Sequence, residues 1–272
     1  MLKKIINSIL ILLLFTSCST MYIPATRSIP LLEKQGEFQL ETGASTNSIY
    51  LNVSGAITKD IAVSINGNLS YRNFSNNYDL FTHKNAQHST GYYFENPDLR
   101  GMFAHRYGEM SVGKINILPN FPMKLEIFGG AGMGRATDVD DYGNYKSDYY
   151  SFFGQGNFGV KKQKIEAGIS LRIAYSMFNY TSKYMNHTGE HCLYQDKFGA
   201  FSFEPMGFAR VGGKNLMAVF RIGLNLMLPI NVNNAEASNY RGFNSSGKLK
   251  YTLLHFSIGL SYRIGGNKLV KR

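Results

Sequence analysis

Two histidines and a cysteine lie close together in the chain: His187, His191 and Cys192 fall within six residues of one another. Imidazole and thiolate groups together can hold zinc, copper or haem. No second group of ligands with comparable spacing accompanies these three residues along the sequence. We therefore expect a polar loop containing an unpaired cysteine, without a metal and without a cofactor.

A second combination that could do chemistry is an acid paired with a histidine. Asp138, Asp140 and Asp141 lie close together, and His105 and His187 fall in other polar stretches. Such pairs can activate water, but acidic loop residues are ordinarily solvated. The chain has no nucleophile elbow, phosphate-binding loop or metalloprotease helix motif. These observations predict a protein that is not an enzyme.

The N-terminus carries an export signal. Lys3 and Lys4 precede an apolar stretch over residues 5–15, and small residues follow it, so residues 1–17 are typical of a cleaved signal peptide. Cys18, directly after Thr16 and Ser17, resembles the lipobox cysteine of bacterial lipoproteins. That resemblance implies a diacylglycerol on Cys18, and Ser19 after it implies sorting to the outer membrane. Ordinary cleavage just downstream is the alternative.

Composition narrows the class of protein. Charged residues make up 17% of the chain and aromatic residues 14%, whereas soluble globular chains carry about 25% charged residues. No apolar run reaches the ~18 residues of a membrane-spanning helix. The formal charge of +11 falls to +9 once Lys3 and Lys4 are removed. For an exported chain, this charge predicts attraction to phospholipid and lipopolysaccharide phosphates and no nucleic-acid partner.

Period-two alternation governs the chain from residue 37 onward. Residues 165–175 and 254–264 show it most clearly, with one apolar face and one small or polar face. Strands of about ten residues are long enough to cross a bilayer when tilted. The pattern predicts ten strands, with eight or twelve as alternatives, over residues 37–45, 49–57, 61–73, 105–117, 124–135, 149–160, 165–180, 198–211, 216–229 and 251–265.

The connections between these strands alternate in length. The first, over 46–48, is short, although its place in the order makes it an outer connection. After it, four short connections alternate with long ones over 75–104, 136–148, 181–197 and 230–250. Outer-membrane barrels have short periplasmic turns and long outer loops, so the pattern predicts an all-β, antiparallel, up-and-down transmembrane barrel with both termini periplasmic and the long loops extracellular. Pro205 cannot donate to a strand ladder, so we expect a bulge there. A soluble lipocalin-like barrel or sandwich, with its apolar face inward, is the alternative.

The polar faces of the predicted strands gather charge inside the barrel. Unpaired charges in a narrow lumen are costly, and pairing of arginine with glutamate is the expected solution. A salt-bridged interior predicts a closed barrel, and the inward glycines leave a narrow solute path as the alternative. The predicted interior charges are Glu41, Glu126, Glu166, Glu204, Arg172, Arg210, Arg221 and Arg263.

Residues 37–265 resemble the small outer-membrane β-barrel proteins of diderm bacteria in pattern and topology. The predicted organisation is a signal over 1–17, a periplasmic linker over 18–36, the barrel over 37–265 and a basic periplasmic tail over 266–272. We expect a monomeric, non-enzymatic surface barrel whose long loops, especially 75–104, bind an unknown extracellular partner or serve a structural role in the envelope. Alternatives are a narrow channel for small solutes and a rim enzyme resembling the omptins, whose ten-stranded barrels carry acidic residues and a histidine at the outer rim.

Overall fold

The structure is a computed structural model. It describes residue 22 and residues 25–46, 48–73, 102–115, 123–139, 143–162, 164–185, 191–213, 215–230 and 253–265. No part of the chain described here forms a helix long and apolar enough to cross a membrane. The strands are β1 Phe38–Ser45, β2 Ile49–Ala56, β3 Ile61–Asn73, β4 Met102–Lys114, β5 Met123–Val139, β6 Gly143–Lys161, β7 Ile165–Met185, β8 His191–Gly212, β9 Leu216–Leu224, β10 Leu226–Ile230 and β11 Leu254–Ile264.

These strands form one closed antiparallel barrel. Each of β1 to β8 pairs with the next strand in the chain, and β11 closes the ring between β9 and β1. Both β9 and β10 pair with β8, so together they form a single position in the ring. The barrel therefore has ten strands, as the alternation predicted, and not eight or twelve.

The break between β9 and β10 lies opposite Pro205. Leu226 pairs with Phe203 on one side of the break and Gly223 pairs with Met206 on the other, with the same register offset on both sides. No residue is inserted in β8, so the bulge predicted at Pro205 is wrong. The ladder between β8 and its neighbour is interrupted there instead. The cause is that proline has no N–H to donate. Asn225, in the gap, donates its backbone N–H to the Leu253 carbonyl across the other edge, at 2.8 Å.

The outer surface of the barrel is apolar. Met110, Ile173 and Leu228 are 65%, 61% and 71% exposed, and each points away from the lumen by strand alternation. The inward positions hold serine, asparagine, glycine and paired charges, together with buried tyrosine and phenylalanine rings. A soluble barrel would bury its apolar face, so the soluble alternative is wrong. An apolar exterior around a polar interior is stable only when hydrocarbon replaces water outside.

The two ends of the barrel differ. At the turn end, residues 57–60, 162–164 and 213–215 connect neighbouring strands; the opposite end is called the loop end below. Strands β5 to β8 have 17, 19, 21 and 22 residues, against 8 in β1 and in β2. In β7, the outward apolar residues run from Ile165 to Met177, about 40 Å along the strand and about 30 Å across a bilayer after tilt. The long strands β5 to β8 therefore extend past the apolar belt at the loop end. We call these four strands the tall wall.

Candidate functional site

The lumen of the barrel is occupied by the chain's own N-terminal part. We call Tyr22 and residues 25–32 the lumenal segment. Every described residue in it is buried, and Thr26, Ile29 and Leu31 are 0% exposed. The sequence predicted a free periplasmic linker over 18–36, so this placement is a correction. An empty lumen would leave inward charges without partners, and the segment supplies backbone carbonyls and an arginine to satisfy them.

The lumenal segment runs from the loop end towards the turn end. The Tyr22 ring packs against Tyr149 and Phe178, with centroids 5.5 and 6.2 Å apart, in the loop-side halves of β6 and β7. Leu32 packs with Ala56 and with neighbours that include Ile115 at the turn end. The chain then enters β1 from the turn end. Tyr22 therefore lies towards the end opposite to the one predicted for the N-terminus.

Backbone and hydroxyl groups of the segment bind the barrel wall at several heights. Thr26 Oγ1 lies 3.1 Å from His255 Nε2, and Ser28 Oγ lies 2.5 Å from Ser54 Oγ. Gln155 donates to the Ser28 carbonyl at 2.9 Å. These contacts reach β11, β2 and β6, so the segment is held on several sides of the lumen and not along one strand.

Nearest the loop end, Glu204 binds the lumenal segment. Tyr22 donates its hydroxyl to Glu204 at 3.0 Å, and Ser202 donates to the same carboxylate at 2.8 Å. The Arg27 guanidinium forms an ion pair with Glu204 at 3.4 Å and also donates to the Glu204 backbone carbonyl. The carboxylate predicted to pair with a barrel arginine is therefore neutralised by the segment.

A second ion pair joins Arg172 of β7 to Glu109 of β4. Both guanidinium Nη atoms donate to the carboxylate at 2.8 Å, a bidentate arrangement across the lumen. Arg172 also donates to Gln155 Oε1 at 2.7 and 3.0 Å and stacks 3.9 Å from the Phe153 ring centroid. Tyr107 donates to Glu109 at 2.9 Å. This pair links two strands that are three positions apart in the ring, through the lumen.

Nearer the turn end, carboxylates and guanidinium groups alternate. Glu41 accepts from Arg221 and from Arg210, the latter at 3.2 Å, and Arg210 also binds Glu166 at 3.1 Å. Arg263 binds Glu166 and donates to the Pro30 carbonyl at 2.9 Å, while Arg210 donates to the Ile29 carbonyl. The network therefore includes the backbone of the lumenal segment as an acceptor.

Glu126 has a different environment from the other lumenal carboxylates. Its two oxygens accept the Leu32 backbone N–H at 2.9 Å and the Asn157 amide at 3.1 Å. Among the described residues it forms no ion pair, although the sequence predicted it as one of four acids balanced by arginines. Its contact with Leu32 instead holds the turn-side end of the lumenal segment.

The structure places all eight predicted charges around the lumen, but their partners differ in part from the prediction. It brings Glu41 and Glu166 together with Arg210, Arg221 and Arg263, whereas Arg172 and Glu204 take Glu109 and Arg27 as partners. Sequence reasoning missed these last two residues. Glu109 alternates with His105 and Tyr107 along β4, a period-two signal that could have found it. Arg27 lies in a stretch without periodicity, and nothing in the sequence marked it.

The other sequence candidates do not form a site in the described part of the chain. His191 and Cys192 begin β8, and His187 and Cys18 lie outside the described residues. His105, predicted beside a loop, is buried with Nε2 at 2.7 Å from the Tyr149 hydroxyl. Asp138 belongs to β5, while Asp140 and Asp141 lie outside the described residues. Within the described ranges, no three potential metal ligands come together.

A closed antiparallel barrel with an apolar exterior and a charge-paired lumen has the architecture of the outer-membrane β-barrel proteins. No protein-family model and no curated protein matches the chain. Among solved structures, the chain is similar to OmpT (in-vitro folded), an outer membrane protein of Vibrio cholerae, with 9% identity and a TM-score of 0.17 over 86% of this chain and 100% of that one. At that score, the likeness defines neither a shared function nor a shared site.

Proposed function

We propose that the protein is a non-enzymatic, non-conducting outer-membrane β-barrel that closes its own lumen and uses its loop end for binding at the cell surface or for a structural role in the envelope. The single observation that supports closure is the burial of the lumenal segment, in which Ile29 and Leu31 are fully enclosed. In this proposal the barrel acts as a monomeric membrane anchor, and solutes do not cross it.

The geometry of the lumen supports closure over the narrow-channel alternative. A solute would have to displace the segment or separate ion pairs that join non-adjacent strands through the lumen, such as Arg172 and Glu109. Separating a buried ion pair leaves an uncompensated charge and costs about 3–5 kcal/mol. The segment adds the Arg27 ion pair and backbone contacts to Arg210, Arg263 and Glu126. Opening a path would therefore require several such losses at once.

The tall wall of β5 to β8 supports an outward-facing role. It extends beyond the apolar belt at the loop end, where long barrel loops are normally exposed to the outside. The predicted binding loop over 75–104 lies almost entirely outside the described residues, so its role is part of the proposal. Acylation of Cys18 and removal of residues 1–17 belong to the proposal on the strength of the sequence alone.

Planar-bilayer recording tests closure. We expect the wild-type protein to give no steady single-channel steps. The variant Ile29→Asp/Leu31→Asp places two carboxylates where the lumen is fully buried, which should expel the segment and produce steps. Lys34→Ala, at an exposed position near the segment, is the control and should stay silent. Steady steps from wild-type protein would overturn the proposal, whatever the variants do.

A further inference from the structure

One outer face of the barrel carries a row of polar and charged side chains just above the apolar belt. Arg106, Arg135, Asp148, Asn179 and Lys197 are direct register neighbours across β4, β5, β6, β7 and β8. All five occupy outward positions of their strands, and Arg106, Asn179 and Lys197 are exposed. With strands about 4.8 Å apart, the row is about 19 Å wide. We call this row, together with Lys146 and Lys183 of the neighbouring rows, the cationic face.

The charge of this face is mostly uncompensated. Lys146 and Lys183 occupy outward positions one and two rows nearer the strand ends. Asp148 is the one acid on this face within the described parts of β4 to β8, and it binds both Arg135 and Lys146, the latter at 2.9 Å. No described carboxylate pairs with Arg106, Lys183 or Lys197. At outward positions of the described strands, five basic groups therefore accompany one acid at the level where the apolar belt ends.

Directly below the cationic face lie apolar and aromatic side chains. Met133, Tyr150 and Met177 form the next outward row, and Phe152, Tyr175 and Phe201 form the row after it. The rings of Tyr175 and Phe201 are 4.9 Å apart. An open depression of about 500 Å³ joins Arg106 and Arg135 to Met133 and Tyr150, so charge and apolar surface share one concavity.

Hydroxyl and amide groups lie between the basic side chains. A second depression, of about 540 Å³, is lined by Asn179, Thr181, Gln195 and Lys197, and by Asp196, whose carboxylate accepts the Lys197 backbone N–H at 2.7 Å. Next to β8, the described outward residues of β10 are apolar, as at Leu228 and Ile230. Across the ring, β2 and β3 likewise present Ile49 and Leu69 outward near their loop ends. At the loop ends of the described strands, outward basic residues therefore occur only on β4 to β8.

We infer that the cationic face binds a phosphorylated glycolipid of the outer leaflet. The phosphates would lie against the arginine and lysine side chains, the sugar hydroxyls against Asn179, Thr181 and Gln195, and the acyl chains against the apolar rows below. A free phosphate has no acyl chain to contact the apolar rows. A phospholipid has acyl chains and a phosphate but few hydroxyl groups to bind the amide and hydroxyl groups of the face. The inference rests on the proposed outer-membrane location.

Binding of purified bisphosphorylated lipid A to the refolded protein in zwitterionic detergent, measured by native mass spectrometry, tests the inference. The variant Arg106→Gln/Lys146→Gln/Lys197→Gln removes three charges from the cationic face. A basic side chain near an anionic surface contributes about fivefold, so we expect a loss on the order of 100-fold. Lys59→Gln/Lys114→Gln/Lys162→Gln removes three exposed charges at the turn end and should change the affinity less than about threefold.

The lipid controls separate the possible sources of binding. Dephosphorylated lipid A and phosphatidylglycerol should both bind wild-type protein at least about tenfold more weakly than bisphosphorylated lipid A. Equal binding of phosphatidylglycerol, or equal losses in the two triple variants, would overturn the inference. A heat-modifiable band on unboiled gels reports folding of every sample. Its absence in wild-type protein would contradict the proposed barrel function, whereas a folded wild-type barrel without binding would contradict the glycolipid site alone.

Discussion

Two buried glutamates in the lumen, Glu109 and Glu126, differ in whether their hydrogen-bond donors are charged. Glu109 is 3% exposed and accepts a bidentate ion pair from Arg172, together with hydrogen bonds from Tyr107 and Asn66. Glu126 is 1% exposed and accepts only neutral donors, the Leu32 N–H and the Asn157 amide. The negative charge is therefore needed for charge balance at Glu109 but not at Glu126.

The same substitution should consequently have different costs at the two positions. Glu109→Gln leaves the buried Arg172 guanidinium without a counter-charge and should lower the free energy of unfolding by about 3–5 kcal/mol. Glu126→Gln keeps an acceptor for Leu32 but turns the second oxygen into an amide that faces the Asn157 donor, so it should cost about 1–2 kcal/mol. Urea unfolding of the refolded barrel in lipid vesicles measures both. Equal losses in the two variants would mean that the ion pair is not what distinguishes these sites.

At the scale of residues, alternation predicted which charges face inward but not how they pair. The period-two pattern places Arg172 and Glu166 on the lumenal face of β7 from sequence alone. Pairing depends on which strands lie across the lumen and on what else fills it, and neither is encoded locally. Arg27 is the clearest case, because its partner Glu204 lies 177 residues away and its own segment has no periodicity.

At the scale of elements, strand positions were predictable and strand lengths were not. The sequence predicted β6 over 149–160 and β8 over 198–211, whereas the strands are Gly143–Lys161 and His191–Gly212. Much of the predicted loops over 136–148 and 181–197 is therefore strand. The extensions carry polar residues such as Lys146 and Ser147 on both faces, so they lack the alternation that marks a membrane-crossing strand. Beyond the apolar belt, both faces of a strand can be polar.

The lumenal segment leads to a prediction about the N-terminus. Because Tyr22 lies in the loop-side half of the barrel, the chain just before it should leave at the loop end, which is the cell surface in the proposed orientation. A flexible epitope of about 20 residues inserted between Ser19 and Thr20 could extend about 60 Å, past the rim. We expect antibody staining of intact cells. Staining of this insertion only after permeabilisation would contradict the direction of the segment.

The matched control for that experiment lies at the other end of the barrel. The same epitope inserted after Lys59, in the turn between β2 and β3, should stain only when the outer membrane is permeabilised. Reversed staining of the two insertions would show that the loop end faces the periplasm. The pair of insertions therefore reports the orientation of the barrel as well as the path of its N-terminal chain.

At the scale of the whole molecule, closure of the sheet into a barrel and filling of its lumen have different origins in the sequence. The outer surface and strand count follow from alternation, which the sequence carries in every strand. Filling of the lumen follows from the charge of all ten strands taken together, because Glu204 needs a counter-charge, and Arg210 and Arg263 donate to acceptors beyond the carboxylates that they bind on the wall. The N-terminal chain provides them, which explains why a stretch without periodicity is nonetheless buried.

The most direct test of this account is a disulfide between the lumenal segment and the barrel wall. Ser28 Oγ lies 2.5 Å from Ser54 Oγ on the lumenal face of β2, whereas neighbouring Val53 points away from the lumen. In a Cys192→Ser background, the oxidised folded variant Ser28→Cys/Ser54→Cys should yield residues 28–34 disulfide-linked to 35–59 after trypsin digestion and mass spectrometry. The control Ser28→Cys/Val53→Cys, which gives the same two peptides, should yield them unlinked. Unlinked peptides from the first variant, or equal linkage in both, would contradict a lumen closed by the N-terminal chain.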